Sequence, residues 1–332
     1  MASSTEGSLF LHYPCFDGLV SAAIAWDFLE SSQGWRLAAI CPVNYDRRDT
    51  WLTTPLPSQS VVVDFLYHPD AAFWADHHPT TFINEESRLN FELRTDKRFF
   101  LYDPKATSCA KLLWERVGYA SSDPTRYAEM AVWADRTDSA TYDSVDEAIF
   151  GTQPALRIAR SLSAGQDQEY CAFLLQAMHA LTLEEIAELP EVASRESDVR
   201  VRTQKGIDLV NERIAMQSGG IVVVDVDEAP DAIVNRYSPY FGRFRDARYS
   251  VALIRSAKGA SILAMRNPWI NFESVHLGEI FEPFKGGGHQ RVAAVVIPAD
   301  SGTDPRAAVD GIVAAIRAKD RALAEGERRA IA

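Results

Sequence analysis

The run Ser60-Val61-Val62-Val63-Asp64 is the feature that most constrains what this chain can fold into. Three consecutive β-branched residues without polar alternation describe a strand buried on both faces, as in a parallel sheet covered by helices. Its neighbours agree. Leu9-Phe10-Leu11-His12 and Trp35 to Cys41 read as strands, Leu19 to Leu29 between them has helical apolar spacing, and Ala72 to Ala75 offers another short strand. Strands alternating with helices imply an α/β fold, a mostly parallel sheet flanked by helices.

The middle of the chain turns helical, over Ser108 to Val117, Pro124 to Ala134, Ser144 to Phe150 and Tyr170 to Leu181. Leu183 to Met216 reads as one long, charged helix. From Gly219 strands return, at Ile221 to Val226, Tyr249 to Ile254, Ser261 to Met265 and Val292 to Ile297. A closing helix spans Asp304 to Leu323, with Pro305 in its first turn. A length of 332 residues suits two domains. The expected organisation is a larger N-terminal domain over 1–185, a helical linker over 186–217, and a smaller α/β domain with a mixed sheet over 218–332.

Composition narrows the function. With 47% hydrophobic and 24% charged residues the chain is that of a globular protein, and no run of about 18 apolar residues offers a membrane span. The polar amino terminus lacks the basic-then-apolar layout of a secretory signal, so a cytoplasmic protein is expected. Four cysteines form no C-x-x-C pair, which argues against a disulfide framework or a zinc knuckle. Cys41, Cys109 and Cys171 are expected as reduced, mostly buried thiols. A net charge of −12 opposes the coating of long duplex nucleic acid. The acidic excess lies in the first two thirds, where carboxylates suit divalent cations.

Four groups place acidic or imidazole side chains at the end of an element. They are His12-Tyr13-Pro14-Cys15-Phe16-Asp17-Gly18 after a strand, Asp64 closing the valine run, Asp76-His77-His78-Pro79, and Asp135-Arg136-Thr137-Asp138 at the end of a helix. In an open parallel sheet the carboxyl ends of the strands line one crevice, so the first three can meet in space. Alone, each has a plainer account: an Asp after a strand caps a turn, and adjacent histidines on a strand point to opposite faces. Together they suit Mn²⁺, with Mg²⁺, Co²⁺ or Fe²⁺ as alternatives. Near the other end, Gly286-Gly287-Gly288 lets backbone N–H groups approach a phosphate, or simply makes a tight turn before the next strand.

Asp76-His77-His78 with Asp64 and the His12…Asp17-Gly18 loop resembles the DHH phosphoesterase superfamily. Phe284-Lys285-Gly286-Gly287-Gly288-His289-Gln290-Arg291 resembles the GGGH motif of its usual partner domain, and the likeness runs from about residue 9 to 298. It implies a metal-dependent phosphoesterase in which metal-activated water hydrolyses phosphate esters of short oligonucleotides or small nucleotides. His12, Asp17, Asp64, His77 and Asp135 would hold one or two divalent ions, with Asp64 bridging and Asp138 the alternative to Asp135. His78 would act beside the cluster and Asp76 would orient a histidine. Arg266, Gly286, Gly287, Gly288 and His289 would bind the substrate, a small nucleotide or short single strand. The implied arrangement is a cleft between the two domains.

One position departs from the pattern. Cys15 stands where the family commonly has Asp; its thiolate can still bind, and favours Zn²⁺ or Fe²⁺ over Mn²⁺. Interleaved Arg236-Tyr237, Arg243-Phe244-Arg245 and Arg248-Tyr249 can grip a short strand by phosphate and stacked base, or form a solvated loop with packed rings. Alternatives left open are a polyphosphate or pyrophosphate hydrolase and a nucleotide-binding module with a decayed metal site. A homodimer is compatible with the sequence.

Overall fold

The computed structural model of the chain describes residues 5–165, 167–288 and 290–331. The chain divides into two units, one of residues 1–142 and 152–199, the other of 143–151 and 200–332.

The first unit opens with β1 (Thr5–His12), α1 (Phe16–Gln33) and β2 (Trp35–Val43), followed by the short α2 (Arg48–Trp51), β3 (Ser60–Val63), β4 (Phe73–Asp76), α3 (Glu85–Leu93) and β5 (Phe100–Tyr102). These strands form one parallel sheet in the order β2-β1-β3-β4-β5. As the valine run predicts, β3 is buried throughout. α1 is buried along most of its length, from Phe16 to Leu29, and Gly34 ends it in a left-handed conformation at φ 66°. Helices α4 (Cys109–Val117) and α5 (Pro124–Asp138) pack against α1. Their starts are ordinary caps: Ser108 accepts from the Lys111 N–H, and Asp123, followed by Pro124, accepts from Arg126.

Next come α6 (Val145–Phe150), α7 (Pro154–Ser161), α8 (Gln168–Ala180), α9 (Leu183–Ala187) and α10 (Pro190–Arg213). Leu183 to Met216 is therefore not one helix. Pro190 opens a second helix, since it cannot donate within a continuing one, and residues 214–217 leave the helix to pair as a strand. The division between units falls inside α10, and α6 belongs with the second unit. There the Phe150 ring meets Phe241 edge-on, with centroids 5.6 Å apart, and Arg200 lies over Phe150.

The second unit adds β6 (Ile214–Gln217), β7 (Ile221–Asp227), β8 (Tyr249–Ser256), β9 (Gly259–Arg266), α11 (Leu277–Phe281), β10 (Gly287–Gly288), β11 (Val292–Pro298) and α12 (Pro305–Ile331). Its sheet runs β10-β11-β9-β8-β7-β6 and is mixed, parallel only between β7 and β8. α11 and α12 cover one face through Leu277, Ile280, Phe281, Val309, Ile312 and Ile316. Among the described residues no helix is long and apolar enough to cross a membrane.

Candidate metal centre

The strand order 2-1-3-4-5 has its switch point between β1 and β3, where connections leave in opposite directions and a crevice opens at the carboxyl ends. His12 is the last residue of β1, Asp64 follows β3 directly, and Asp76 ends β4. Register makes them neighbours, because Leu11 pairs with Val63 and Val63 with Ala75. Asp64 has φ 54°, a left-handed conformation that costs an Asp on the order of 1 kcal/mol or more. Its N–H nevertheless bonds the Ala75 carbonyl at 2.9 Å.

Asp64 is the hub. One carboxylate oxygen lies 3.4 Å from His12 Nδ1; the other is 3.7 Å from His77 Nε2 and 3.8 Å from His78 Nδ1. That second oxygen, Oδ1, is buried with no hydrogen-bond partner in the described structure. Burial drives the Asp64 pKa upward, but His12, His78 and His77 outweigh it and hold the carboxyl below its ordinary value.

Asp17 sits in the first turn of α1. Its carboxylate accepts from the backbone N–H groups of Cys109 and Ala110, at 2.8 and 2.9 Å, at the start of α4. One of its oxygens remains 3.8 Å from His77 Nε2. Burial, then the negative charges of Asp64 and Asp138, push its pKa well above the carboxylate range. Packed carboxylates at 1% exposure that disfavour each other's charge are what a cation would relieve.

His77 is oriented for that task. Its Nδ1 is 3.1 Å from the Ala106 carbonyl; a hydrogen bond donated there turns the Nε2 lone pair toward the carboxylates. His78 Nδ1 lies 2.8 Å from Asp76 Oδ1, the same oxygen that accepts from the His77 N–H. Burial alone would lower the His78 pKa; Asp76 and then Asp64 reverse this and raise it to about 10. Adjacent strand residues would diverge, but these two lie just past the end of β4, and both rings reach Asp64.

The helix-end residue that reaches the cluster is Asp138, not the expected Asp135. Asp138 Oδ2 is 3.4 Å from His77 Nε2. Asp135, one turn earlier on α5, is taken up by the Thr107 hydroxyl and by Lys111 Nζ at 3.1 Å. Three donor groups result: His12 with Cys15 and Asp64; Asp64 with His77 and His78; Asp17 with His77 and Asp138. Within each, the candidate ligand atoms lie within 4.8 Å of one another.

Two further residues belong to the site. Gly18 is needed because a Cβ there would stand 2.1 Å from the His12 carbonyl oxygen and 3.3 Å from Asp64 Oδ2. Tyr45 carries no motif; its ring lies edge-on to His12 at 5.1 Å and against Phe65 at 5.4 Å. Its place two residues past β2 is the signal that could have found it, since that strand ends at the same crevice.

In the second unit the three glycines are not equivalent. A Cβ on Gly286 would meet the Ala294 carbonyl oxygen at 2.6 Å, and one on Gly288, at φ 148°, the Val292 carbonyl oxygen at 2.3 Å. A Cβ on Gly287 would meet nothing within 4 Å among the described residues. His289 lies outside the described residues. Arg266 is 8% exposed and donates to the carbonyls of Asn267, Ile270 and Phe272 at 2.8, 3.0 and 3.1 Å. Burial and then the nearby Arg291 charge lower its pKa. In the interleaved segment Tyr237 and Tyr249 are buried, Arg248 pairs with Asp320, and Arg245 with Asp146.

No family model matches this sequence, and no curated protein matches it either. Solved structures do match in three dimensions. The chain is similar to the pGpG-specific phosphodiesterase PggH of Vibrio cholerae, with a TM-score of 0.66 and 18% identity over 94% of this chain and 99% of that one. It is similar to a DHH domain from a member of the s1p family of ribosomal proteins, with a TM-score of 0.57 and 11% identity over 93% and 86%. This chain has the DHH fold. RecJ of Thermus thermophilus, solved with Mn²⁺, shares the fold at a TM-score of 0.55 and 14% identity, over 94% of this chain and 52% of RecJ. Within the DHH fold the donor set here fits divalent cations: carboxylate, imidazole and one thiol, buried at Asp17, Asp64 and His77 and partly buried elsewhere, with the carboxylate charges opposing one another at Asp17.

Proposed function

We propose that the chain is a metal-dependent phosphoesterase acting on short oligonucleotides or small nucleotides. The observation that carries this reading is Asp64, a buried carboxylate held in a left-handed backbone conformation, common to two of the donor groups and with one oxygen lacking a hydrogen-bond partner among the described residues. The ligands would be His12, Cys15, Asp17, Asp64, His77 and Asp138, with Asp64 common to both positions. Divalent ions held there supply Lewis-acid stabilisation of phosphoryl oxygens and a water nucleophile of lowered pKa. Asp76 fixes the His78 ring and favours its protonated form, which suits it to move a proton at the leaving oxygen. Tyr45 walls the crevice.

The second unit would recognise phosphate. Gly287 is the glycine where an added Cβ would meet none of the described residues, and the charge between Arg266 and Arg291 would be relieved by an anion. Mn²⁺ is the first metal to try. The fold shared with a pGpG-specific phosphodiesterase directs attention to linear dinucleotides.

The test is a panel of linear dinucleotides, short single strands, mononucleotides and polyphosphate, each assayed with Mn²⁺, Mg²⁺, Co²⁺ and Zn²⁺. Hydrolysis of dinucleotides that disappears in Asp64→Ala and His77→Ala supports the reading. Turnover confined to polyphosphate would replace the substrate class, and tight nucleotide binding without turnover under every metal would turn the proposal into a binding module.

A further inference from the structure

We propose that Cys15 is a thiolate ligand and makes the two halves of the centre chemically unlike. One would be a nitrogen–sulfur–oxygen pocket for a borderline cation such as Zn²⁺, Co²⁺ or Fe²⁺; the other, richer in oxygen, would suit Mn²⁺ or Mg²⁺. This rests on the metal-dependent reading above and goes further, by assigning different ions to the two positions.

Geometry carries the first step. Sulfur of Cys15, a ring nitrogen of His12 and a carboxylate oxygen of Asp64 lie within 4.8 Å of one another, so one ion can touch all three. The second donor set, Asp17, His77 and Asp138, contains no sulfur. A second observation comes from Asp64, whose side chain is 1% exposed: Oδ2 lies 3.4 Å from His12 Nδ1 on the Cys15 side, while Oδ1, with no hydrogen-bond partner among the described residues, faces His77 Nε2 and His78 Nδ1 at 3.7 and 3.8 Å, so one buried carboxylate adjoins both donor groups. A buried carboxylate set between two groups of ligand-type side chains is one whose charge a cation would compensate.

Charge supplies the second step. With the thiol ionised, the anionic donors Cys15, Asp17, Asp64 and Asp138 together match the charge of two divalent ions, while His12 and His77 bind as neutral rings. As the metal–sulfur bond forms, the thiol proton passes to solvent and the electron pair stays on sulfur; no oxidant or reductant is involved.

Softness supplies the third. Thiolate and imidazole together favour Zn²⁺, Co²⁺ and Fe²⁺, whereas carboxylates favour Mn²⁺ and Mg²⁺. The other cysteine near the cluster does not share this role. Cys109 Sγ is 3.3 Å from the Ala75 carbonyl and is absent from every three-donor group among the described residues.

Cobalt reports on this directly, without an activity assay. Metal-free full-length protein titrated with Co²⁺ should develop an intense near-ultraviolet sulfur-to-cobalt charge-transfer band together with weaker visible bands. Cys15→Ser should lose the near-ultraviolet band and keep visible bands from the sulfur-free position. Cys15→Asp should also lose the band and shift the relative affinity of Zn²⁺ and Mn²⁺ toward Mn²⁺ by at least about tenfold. Stoichiometric Co²⁺ binding by the wild-type protein without the charge-transfer band, or a band that survives in Cys15→Ser, overturns the thiolate and leaves metal dependence standing. Failure of the wild-type protein to bind any Co²⁺ overturns both. The wild-type spectrum decides whether sulfur binds even if a variant does not fold.

Discussion

At the switch point of the first unit, Asp17, Asp64 and His77 are packed together at 1–4% exposure, where hydrophobic packing gives charged groups no reason to be. At the glycine turn of the second unit, Gly286 and Gly288 are required by neighbouring backbone atoms whether or not a ligand exists. The two motifs are equally conspicuous as strings of letters, yet they carry different weight. Buried, mutually repelling acids need an external reason, and a cation is the natural one. Glycines at close approaches have an internal reason, which leaves only Gly287 to speak for phosphate.

The sharpest way to break this contrast is at the hub. Asp64→Ala should lower turnover by roughly a thousandfold and remove bound metal measured by elemental analysis. It should also abolish the rise in melting temperature that metal gives the wild-type protein through preferential binding to the folded state. A variant that keeps its metal and most of its activity would mean that the buried acids have some other explanation. Gly18→Ala probes the same place from the packing side. A methyl 2.1 Å from the His12 carbonyl oxygen must displace backbone, for an expected loss of about 3 kcal/mol in chemical denaturation and weakened metal binding.

Next in size is the helix end. Asp138→Asn should cost about a hundredfold in activity, whereas Asp135→Asn should leave metal content intact and lower stability by less than about 1 kcal/mol through its half-exposed Lys111 pair. Equal effects would erase the distinction between the two acids. In the second unit, Gly286→Ala and Gly288→Ala should each destabilise by about 1–3 kcal/mol. Gly287→Ala should leave the melting temperature nearly unchanged and raise KM. If all three behave alike, the turn is structural throughout.

The smallest effect is one of pH. The Arg255 hydrogen bond leads the causes that hold Asp225 below its ordinary pKa, aided by Arg306 and opposed by partial burial. A carboxyl depressed in the folded state contributes stability above its unfolded value of about 4 and loses it as pH falls through the folded value. Asp225→Asn should therefore be less stable than wild type by under about 1 kcal/mol at neutral pH, with the gap closing in acid. A gap that widens in acid contradicts the sign.

Much of the site was legible because the sheet places strand ends side by side, so an acid or imidazole after each apolar run already describes a crevice. Asp138 was harder to choose. It and Asp135 lie one turn apart on nearly the same face of α5, and what separates them is Lys111, a partner on another helix. The mixed second sheet and the parallel first one agree with the alternation of elements. β5, only three residues long, and α3, whose Leu89 and Leu93 face solvent, give too weak an apolar period to be read. Residues 214–217 look helical in isolation and become a strand because β7 offers them a ladder. No local pattern could show that 143–151 keeps company with residues beyond 200, since that depends on contacts such as Phe150 with Phe241.

The positive φ of Asp64 also separates two kinds of tolerance at one codon. Glycine and asparagine are the side chains that accept a left-handed bend most readily, so a full substitution library at position 64 selected for folding alone should enrich those two. Selected for turnover, the same library should return only aspartate. Here the residue most comfortable for the backbone and the one useful to the chemistry are different amino acids.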